Sequence, residues 1–421
     1  MKKSQRLEDI YHAESAKILA ALVRLFGKDN IELAEDTLQE AFKRAIEVWD
    51  EKGEPENPSA WLMLTAKNQA IDVIRRNKHQ VSYSSELADF LDSEWTLATA
   101  VDRAFKNNAI QDETLSMIFW CCQSNLKPEN LIPLILKVLC GFSLNTISKS
   151  LFLPEETLKK RLQRTKSQLK KSPYSANVTP DLESMETVHL ALYLLFNEGV
   201  YSSEERKIIN IDFCHEAMHL LEQLVVSPDI ANRETLALYA LMHFHMARLE
   251  SRIDDNREPV PLDLQNRTKW DQSCISKGSH FLELAGANKE AFGNTGRFFE
   301  EASIAHEHCK AESFEQTNWQ QIEQHYNNLV ESSQSPLAKL NQAIAIAYQG
   351  EKDRALVVVS EAQNTDMLAE SYLPFATLAH IYALNGMKEV AYFNAEQARM
   401  KGGSKKEHTQ LLAQLARLLA R

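Results

Sequence analysis

Three residues, His215, Glu216 and His219, have the spacing that most directly suggests chemistry, because they fit the zinc-hydrolase pattern HExxH. On a helix this spacing places two imidazoles on one face, and the glutamate between them could act as a general base. Further ligands would have to come from elsewhere in the chain. The histidines that could supply them are His243, His245, His306 and His308.

The segment 215–219 also fits an ordinary buried repeat helix. Cys214, Ala217 and Met218 form its expected buried side, with Leu221 one turn later. So short a pattern can arise by chance in a chain with 13 histidines, and no HxxxD or ExxxD ligand helix stands out downstream. We therefore expect no catalytic residue, no metal and no cofactor, and keep a zinc hydrolase as an alternative.

A second chemically distinctive stretch is the basic segment GFSLNTISKSLFLPEETLKKRLQRTKSQLKK, which begins at Gly141. Ser143 is expected to cap a short helix, and Pro154 to start a second one whose positive N-terminus suits two glutamates. Phe152 stands where such a turn often has glycine, which leaves the pitch of the second helix open. The apolar positions expected to face inward are Leu144, Ile147, Leu151, Leu158, Leu162 and Leu169.

The second helix of this segment then has a polar, cationic outer face. Its outward residues are Thr157, Lys159, Lys160, Arg161, Arg164 and Lys166. A recognition helix presents such a face to the major groove and its flanking phosphates. A solvated cationic helix is the alternative, but the close spacing of the two helices favours a DNA-binding helix-turn-helix.

Two amphipathic helices are predicted nearer the N-terminus. AEDTLQEAFKRAIEVW buries one apolar stripe, formed by Ala34, Leu38, Phe42, Ala45 and Trp49. It leaves a mixed-charge face exposed, formed by Asp36, Gln39, Glu40 and Lys43. WLMLTAKNQAIDVIRRNK buries Leu62, Ala66, Ala70 and Ile74. It leaves four polar residues outside, namely Lys67, Asn68, Arg75 and Arg76.

Composition predicts the elements that must position these residues. Only 12 glycines and 12 prolines occur in 421 residues, so the fold should be all-α. The net charge of −11 argues against free-standing DNA binding, yet residues 135–172 hold nine basic and two acidic residues. DNA contact should therefore be local and should need a partner that supplies most of the affinity.

The chain divides into four predicted parts. Residues 1–78 form a first helical domain, 79–110 an acidic linker, 111–172 the domain with the basic helices, and 173–421 a long acidic helical extension. Within the extension, two Pro-led helices end at Gly350 and Gly386, which are 36 residues apart. This period is close to that of tetratricopeptide repeats and favours a superhelical array over an irregular bundle.

Nothing in the sequence suggests a membrane or secreted protein. The longest apolar runs fall short of the roughly 18 residues that span a bilayer, and the first residues lack the apolar core of a signal peptide. The six cysteines show no CxxC pair, which suits reduced thiols. We expect a cytoplasmic protein.

Several separate motifs resemble extracytoplasmic-function sigma factors. AEDTLQEAF…W followed by NPSAWLMLTAKNQAIDVIRR is similar to their region 2, and the basic two-helix segment is similar to their region 4. DETLSMIFWCCQSNLKPENLIPLILKVLCGFS, LYLLFNEGVYSS and GRFFEEASIAHEHC are similar to one subgroup, which carries a long tetratricopeptide-like extension. The resemblance covers essentially the whole chain.

The resemblance implies a mechanism residue by residue. The face of Asp36, Gln39, Glu40 and Lys43 would dock on the clamp helices of the polymerase β′ subunit, and region 4 would meet the β flap. The loop 50–59 and the next helix would receive the −10 element, with Trp61, Lys67, Asn68, Arg75 and Arg76 as contacts. Trp61 fits the core equally well. The region 4 helix would read the −35 duplex, foremost through Arg161 and Arg164.

The resemblance also leaves choices open. The extension could control the sigma domains from within the chain or bind a protein regulator, and a repeat-protein scaffold without promoter activity is the main alternative function. Two positions depart from the subgroup pattern: Asn256-Arg257 lacks the glycine of a short Asp- and Gly-rich turn, and Glu301 stands where glutamine is usual. The departures put a family role for the turn at 254–257 in question.

Overall fold

The computed structural model describes most of the chain, with gaps at residues 1–9, 12–13, 16–17, 24, 28–29, 78–117, 120, 123–125, 141, 152, 170–181, 203–208, 228–229, 255–257, 288–295, 403–404 and 421. The predicted acidic linker 79–110, the segment around residue 173 and the turn residue Phe152 lie outside the described residues. So do three of the four residues of the turn 254–257.

The predicted all-α fold is confirmed. The described residues contain no β-strand beyond one isolated bridge between Ile253 and Pro259. The helices used below are α1 (Ile31–Lys52), α2 (Pro58–Asn77), α3 (Pro128–Leu134, continued by a π-helical turn over Ile135–Leu139), α4 (Leu144–Leu151), α5 (Glu155–Leu169), α6 (Leu182–Val200), α7 (Ile211–Val225), α8 (Arg233–Ala247), α9 (Gln272–Ala287), α10 (Arg297–Lys310), α11 (Trp319–Ser333), α12 (Pro336–Tyr348), α13 (Lys352–Gln363), α14 (Leu373–Leu384), α15 (Lys388–Met400) and α16 (Lys405–Leu418).

The chain forms two compact units, residues 1–230 and 231–421. The first unit holds α1 to α7, so two helices that follow residue 173 fold together with the helices before it. α6 contacts α3 and its π-helical turn. The ring of Phe213 in α7 lies 5.1 Å from that of Phe142, which is fully buried. The basic helices thus share an apolar core with the start of the extension.

The second unit is largely a stack of antiparallel helix pairs. α12 packs on α13 and α14 on α15, while α12 also contacts α14, and α14 contacts α16. Contacts between every second helix are what a solenoid of repeated pairs produces. The two predicted turns are confirmed, since Gly350 and Gly386 follow α12 and α14 with φ angles of 84° and 71°. A positive φ is a conformation that glycine adopts without a Cβ clash.

Small residues permit the close approach of these pairs. Four alanines of α12 and α14 are buried, namely Ala343, Ala347, Ala379 and Ala383. Ile346, Val359 and Ile381 fill the space between α12, α13 and α14. Burying apolar side chains of this size contributes about 1.5–3 kcal/mol each, so the stack is held mainly by its apolar layers.

A connection of 24 residues joins α8 to α9 through short 3₁₀ turns. Arg267 donates from Nη1 to the carbonyl oxygens of His308 and Ala311, the latter at 2.7 Å, and so caps the C-terminus of α10. Trp270 is buried in this connection and donates from Nε1 to Ser251 Oγ at 2.8 Å. Within the described ranges, no helix combines the length and the apolar character needed to cross a bilayer.

Candidate nucleic-acid interface

The basic two-helix segment has the local structure that its sequence predicts. Ser143 Oγ accepts from the backbone N–H of Thr146 at 3.0 Å and caps α4. α5 begins at Glu155, one residue after Pro154, with Glu155 and Glu156 in its positive first turn. The predicted inner leucines of α5 are buried, and Thr165 joins them. Their burial fixes which face of α5 points outward.

The six candidate DNA contacts on α5 differ in their surroundings. Thr157, Lys159, Lys160 and Arg164 are exposed, although Lys159 Nζ lies 2.7 Å from Glu156 Oε1. Arg161 and Lys166 are half-buried and have partners outside the helix. All four side chains are therefore open to a ligand, although Lys159 would have to exchange its contact with Glu156.

The two half-buried cations make specific contacts. Arg161 donates from Nη1 to the carbonyl oxygen of Glu129 at 2.9 Å, which ties α5 to the first turn of α3. Lys166 Nζ donates to both carboxylate oxygens of Glu35 in α1, at 2.5 and 2.6 Å. Neither contact follows from helix periodicity, because each joins residues far apart in the sequence.

The predicted polar face of α1 is exposed along its length. Asp36, Gln39, Glu40 and Lys43 are all open to solvent, and Glu40 lies 3.7 Å from Lys43. Ile46 continues this face, because residues 39, 43 and 46 share one side of a helix, and its side chain is 55% exposed. Our sequence reasoning missed Ile46. An apolar residue three positions after Lys43, on the polar side, was the available signal.

The ring of Trp61 lies at the edge of the core. Its ring packs edge-on against Trp49 with centroids 5.4 Å apart, yet it stays half-buried, whereas Trp49 is buried. Trp61, Asn68 and Arg75 are seven residues apart and so share one face of α2. Leu64 lies close to this face and is 58% exposed. The face therefore joins an aromatic ring, an apolar side chain, an amide and a cation.

The remaining cations of α2 are partly engaged with their own helix. Arg75 lies 3.8 Å from Asp72, and Arg76 donates from Nε to the Asp72 carbonyl oxygen at 3.2 Å. Lys67 is half-buried and Asn68 is exposed. Arg75 and Arg76 are exposed, so their intrahelical contacts can be exchanged for a phosphate with little loss of packing.

The HExxH segment does not assemble a metal site in the part of the chain that the structure describes. Cys214, Ala217 and Leu221 are buried as predicted, whereas Met218 is half-buried. His215 is exposed, His219 is half-buried, and no group of three metal-ligating side chains occurs among the described residues. His243, His245, His306 and His308 all belong to the second compact unit, whereas the motif lies in the first.

The glutamate of this segment faces the basic domain instead. Burial raises the pKa of the Cys140 thiol, and the nearby Glu216 carboxylate adds to the effect. The ring of Phe213 in α7 lies 5.1 Å from that of Phe142, two residues after Cys140, so α7 packs beside the chain that follows the π-helical turn. The segment thus serves as a packing helix in the described structure.

Comparisons with known proteins find two family matches and two relatives. Residues 10–80 match the family Sigma-70 region 2, and residues 184–286 match a family described as one of unknown function, DUF6596. An uncharacterized protein of Rhizobium meliloti strain 1021, R00370, is 30% identical over 349 residues, covering 81% of this chain and 79% of the relative. The ECF RNA polymerase sigma factor SigW of Bacillus subtilis strain 168 is 29% identical over 163 residues, covering 39% of this chain and 86% of the relative. No solved structure matches the chain.

Proposed function

This chain belongs to the same family as the Rhizobium meliloti protein and is a sigma-factor-like protein, and on that premise we propose that it is an extracytoplasmic-function sigma factor. Its relationship to sigma factors indicates a non-enzymatic initiation factor of transcription. The protein binds core RNA polymerase in the cytoplasm and directs it to defined promoters. Residues 1–78, 79–110 and 111–172 act as region 2, linker and region 4, and 173–421 as a tetratricopeptide-like extension.

One observation carries the proposal. A segment that matches Sigma-70 region 2 shares a compact unit with a capped two-helix segment whose outer face is cationic. Region 2 alone would suit any polymerase-binding protein. A second, DNA-reading helix is what promoter selection adds, because sequence is read on base edges in the major groove.

Polymerase binding is assigned to the exposed face of α1. Asp36, Gln39, Glu40 and Lys43 offer charges of both signs around the exposed Ile46. An apolar residue within a polar rim is a typical protein-docking arrangement. We assign the β′ clamp helices to this face, and the β flap to region 4.

The −10 element is assigned to α2. Captured single strands need a stacking surface beside a cationic track, which Trp61 with Arg75 and Arg76 supplies. Lys67 and Asn68 complete the set of contacts. Trp61 keeps one part of its ring against Trp49 and can offer the other part to a base.

The −35 element is assigned to α5. Its exposed face presents Thr157, Lys159, Lys160 and Arg164, and Arg164 is the best placed to reach a base or phosphate without loss of an internal contact. Arg161 also stands in this set but ties α5 to α3. Lys166 lies further along α5, where it would contact a flanking phosphate.

Binding to core polymerase is the first test of the proposed function, because a sigma factor must bind the core enzyme. Purified full-length protein should be retained by immobilised core enzyme, whereas an unrelated repeat protein should not. Failure to bind core enzyme would end the sigma-factor proposal.

A scaffold without promoter activity is the second candidate, favoured by the stack of helix pairs in the second unit. The double substitution Lys160→Ala/Arg164→Ala separates the two functions, because both side chains are exposed and neither holds the fold. It should abolish promoter-directed transcription and spare core binding in a sigma factor. A scaffold would keep its activity. The extension is assigned a regulatory role, through the sigma domains or through a protein regulator.

A further inference from the structure

An ion pair joins the basic helix α5 to α1, the helix that we assign to polymerase binding. Lys166 Nζ contacts both carboxylate oxygens of Glu35, at 2.5 and 2.6 Å, and each side chain is only 20% exposed. The two residues are 131 positions apart, and each belongs to a different functional segment of the first unit. These two contacts neutralise the charge of Lys166 and leave one of its three hydrogens for another acceptor.

The surroundings of Glu35 make this contact more than an isolated surface pair. Burial is the main reason that the pKa of Lys137, in the π-helical turn after α3, is lowered. The charges of Glu35 and Lys166 also act on this lysine. Burial, and then the charge of Glu35, raise the pKa of the Tyr11 hydroxyl. Glu35 therefore contacts Lys166 of α5 directly and acts through its charge on Lys137, at a partly buried junction.

We propose that Glu35 occupies Lys166 in the free protein in place of a DNA phosphate, and so weakens duplex binding until core polymerase is bound. This inference rests on the proposed function. Glu35 already takes two of the three hydrogens of the Lys166 ammonium group, and its negative charge repels a phosphate that approaches the third. Close pairing of Lys166 with a DNA phosphate is therefore favoured only when Glu35 moves away.

The contact lowers affinity without closing the site. Lys159, Lys160 and Arg164 stay exposed in the half of α5 that would read bases, while Lys166 lies nearer its C-terminal end. Free protein should therefore bind duplex DNA weakly rather than not at all. Losing one phosphate contact also lowers the salt dependence of binding by about one counterion.

Core polymerase would relieve the contact through α1. Asp36, next to Glu35 in the chain, belongs to the exposed face that we assign to the polymerase. If docking on that face is favoured when α1 and α5 are apart, linkage requires that it also frees Lys166 by the same free energy. Polymerase binding and −35 binding are then coupled through one side chain.

The test compares Glu35→Gln with a charge-matched control in the full-length protein. Glu47→Gln removes the same charge from an exposed position of the same helix. Binding to a short duplex of arbitrary sequence is measured by fluorescence anisotropy over a range of salt. Glu35→Gln should raise affinity about 5- to 10-fold at low salt and steepen the salt dependence by about one ion. Glu47→Gln should change affinity less than about twofold.

A double-mutant cycle identifies the atom that is released. In a Lys166→Gln background, Glu35→Gln should no longer change duplex affinity, because the competition has been removed. In the presence of saturating core polymerase, Glu35→Gln and the wild type should bind the duplex with equal affinity. Thermal melting of each variant ensures that only folded protein is compared.

The inference is overturned if Glu35→Gln behaves like Glu47→Gln, or keeps its full effect without Lys166. Core binding by the wild type, measured on the same preparations, decides the proposed function separately. If the wild type fails to bind core enzyme but Glu35→Gln still strengthens DNA binding, the sigma-factor proposal is wrong and the proposed role of Glu35 stands. If the wild type binds core enzyme but Glu35→Gln does not change DNA binding, only the proposed role of Glu35 is wrong.

Discussion

Arg161 and Arg164 lie one turn apart on α5 but have different structural roles. Arg161 is half-buried and donates to the Glu129 carbonyl oxygen, whereas the guanidinium of Arg164 is exposed. A hydrogen bond from a charged donor contributes roughly 1.5–3 kcal/mol when its partner is shielded, and less in solvent. Only Arg164 can therefore be removed without affecting the contact between α3 and α5.

Replacing these arginines one at a time separates DNA reading from stability. Arg164→Ala should lower promoter affinity about tenfold or more, the usual effect of a lost base contact, with an unchanged melting temperature. Arg161→Ala should lower both the promoter affinity and the melting temperature, with a loss of about 1 kcal/mol in unfolding free energy. Duplex binding and denaturant unfolding of the two variants check this. Equal stability losses in both variants would contradict the distinction.

For single residues, the sequence predicted whether a side chain is buried or exposed better than it predicted which residue that side chain contacts. Helical periodicity was enough to predict that Leu158, Leu162 and Leu169 are buried and that most of the candidate contacts on α5 are exposed. Arg161 and Lys166 are half-buried instead. It could not pair Lys166 with Glu35, because that depends on how two segments pack. The exposed apolar Ile46 was overlooked for a simpler reason, since an amphipathic pattern assigns apolar residues to the core.

Helix α10 illustrates how one element depends on a distant residue. Its first backbone N–H groups, at Phe298 and Phe299, donate to the carboxylate of Glu234 at 2.7 and 3.2 Å. Gly296 caps the helix so closely that a Cβ there would meet this carboxylate at 2.2–2.6 Å. The lack of a side chain at Gly296 is what lets Glu234 reach the helix terminus.

Two glycine substitutions test this arrangement with a matched pair. Gly296→Ala should destabilise the second unit by about 1–2 kcal/mol, since Glu234 must give up its cap. Gly286→Ala, inside α9, meets nothing nearer than 3.8 Å and should stabilise the unit by about 0.5–1 kcal/mol. Urea unfolding of both variants measures the difference. The same sign for both changes would show that the cap is not needed.

Elements with strong local signals were predictable, and those set by packing were not. Ser143, Pro154 and Gly350 mark helix ends by their own chemistry, and the structure has helix ends at each. The π-helical turn after α3, against which α6 packs, was not predicted from the sequence. The Arg267 cap on α10 likewise joins residues more than 40 positions apart.

At the scale of the whole molecule, the compact units divide at residue 230 rather than at the predicted start of the extension. The helices α6 and α7 cover Phe142 and the turn after α3, so the basic domain shares its core with them. Sequence composition could not reveal this, because the change to acidic residues occurs before these helices begin.

Two truncations test where the first unit ends. A chain of residues 1–230 should melt cooperatively, whereas one of residues 1–172 should lose about 2 kcal/mol or more and bind a hydrophobic dye, because Phe142 loses its cover. Calorimetry and dye fluorescence measure both properties. Equal stability of the two truncations would place the boundary at residue 172 after all.

Buried histidines should make the second unit sensitive to acid. Burial is the main cause that lowers the pKa of His308 to about 3 and that of His380 to about 4, so both are neutral when folded. In the unfolded chain they take up protons near their ordinary pKa of about 6.5. The contribution of these neutral histidines to the free energy of unfolding is therefore complete above pH 6.5 and is lost progressively as the pH falls toward 4.

The pH range 7.5 to 5.5 isolates this effect, because carboxylates titrate mostly below it. Unfolding free energy should fall by up to about 1.4 kcal/mol per pH unit for each such histidine at the lower end of the range. His380→Gln should reduce that slope, as urea unfolding at several pH values would reveal. A slope unchanged in this variant would contradict the assignment.

Run-off transcription tests the central claim most directly. Core RNA polymerase is incubated with the full-length protein and a library of genomic fragments, and the 5′ ends of the transcripts are sequenced. The account predicts a limited set of start sites that share spaced −35 and −10 elements and that disappear with Lys160→Ala/Arg164→Ala. Transcripts whose number and start sites equal those of core polymerase alone would contradict it.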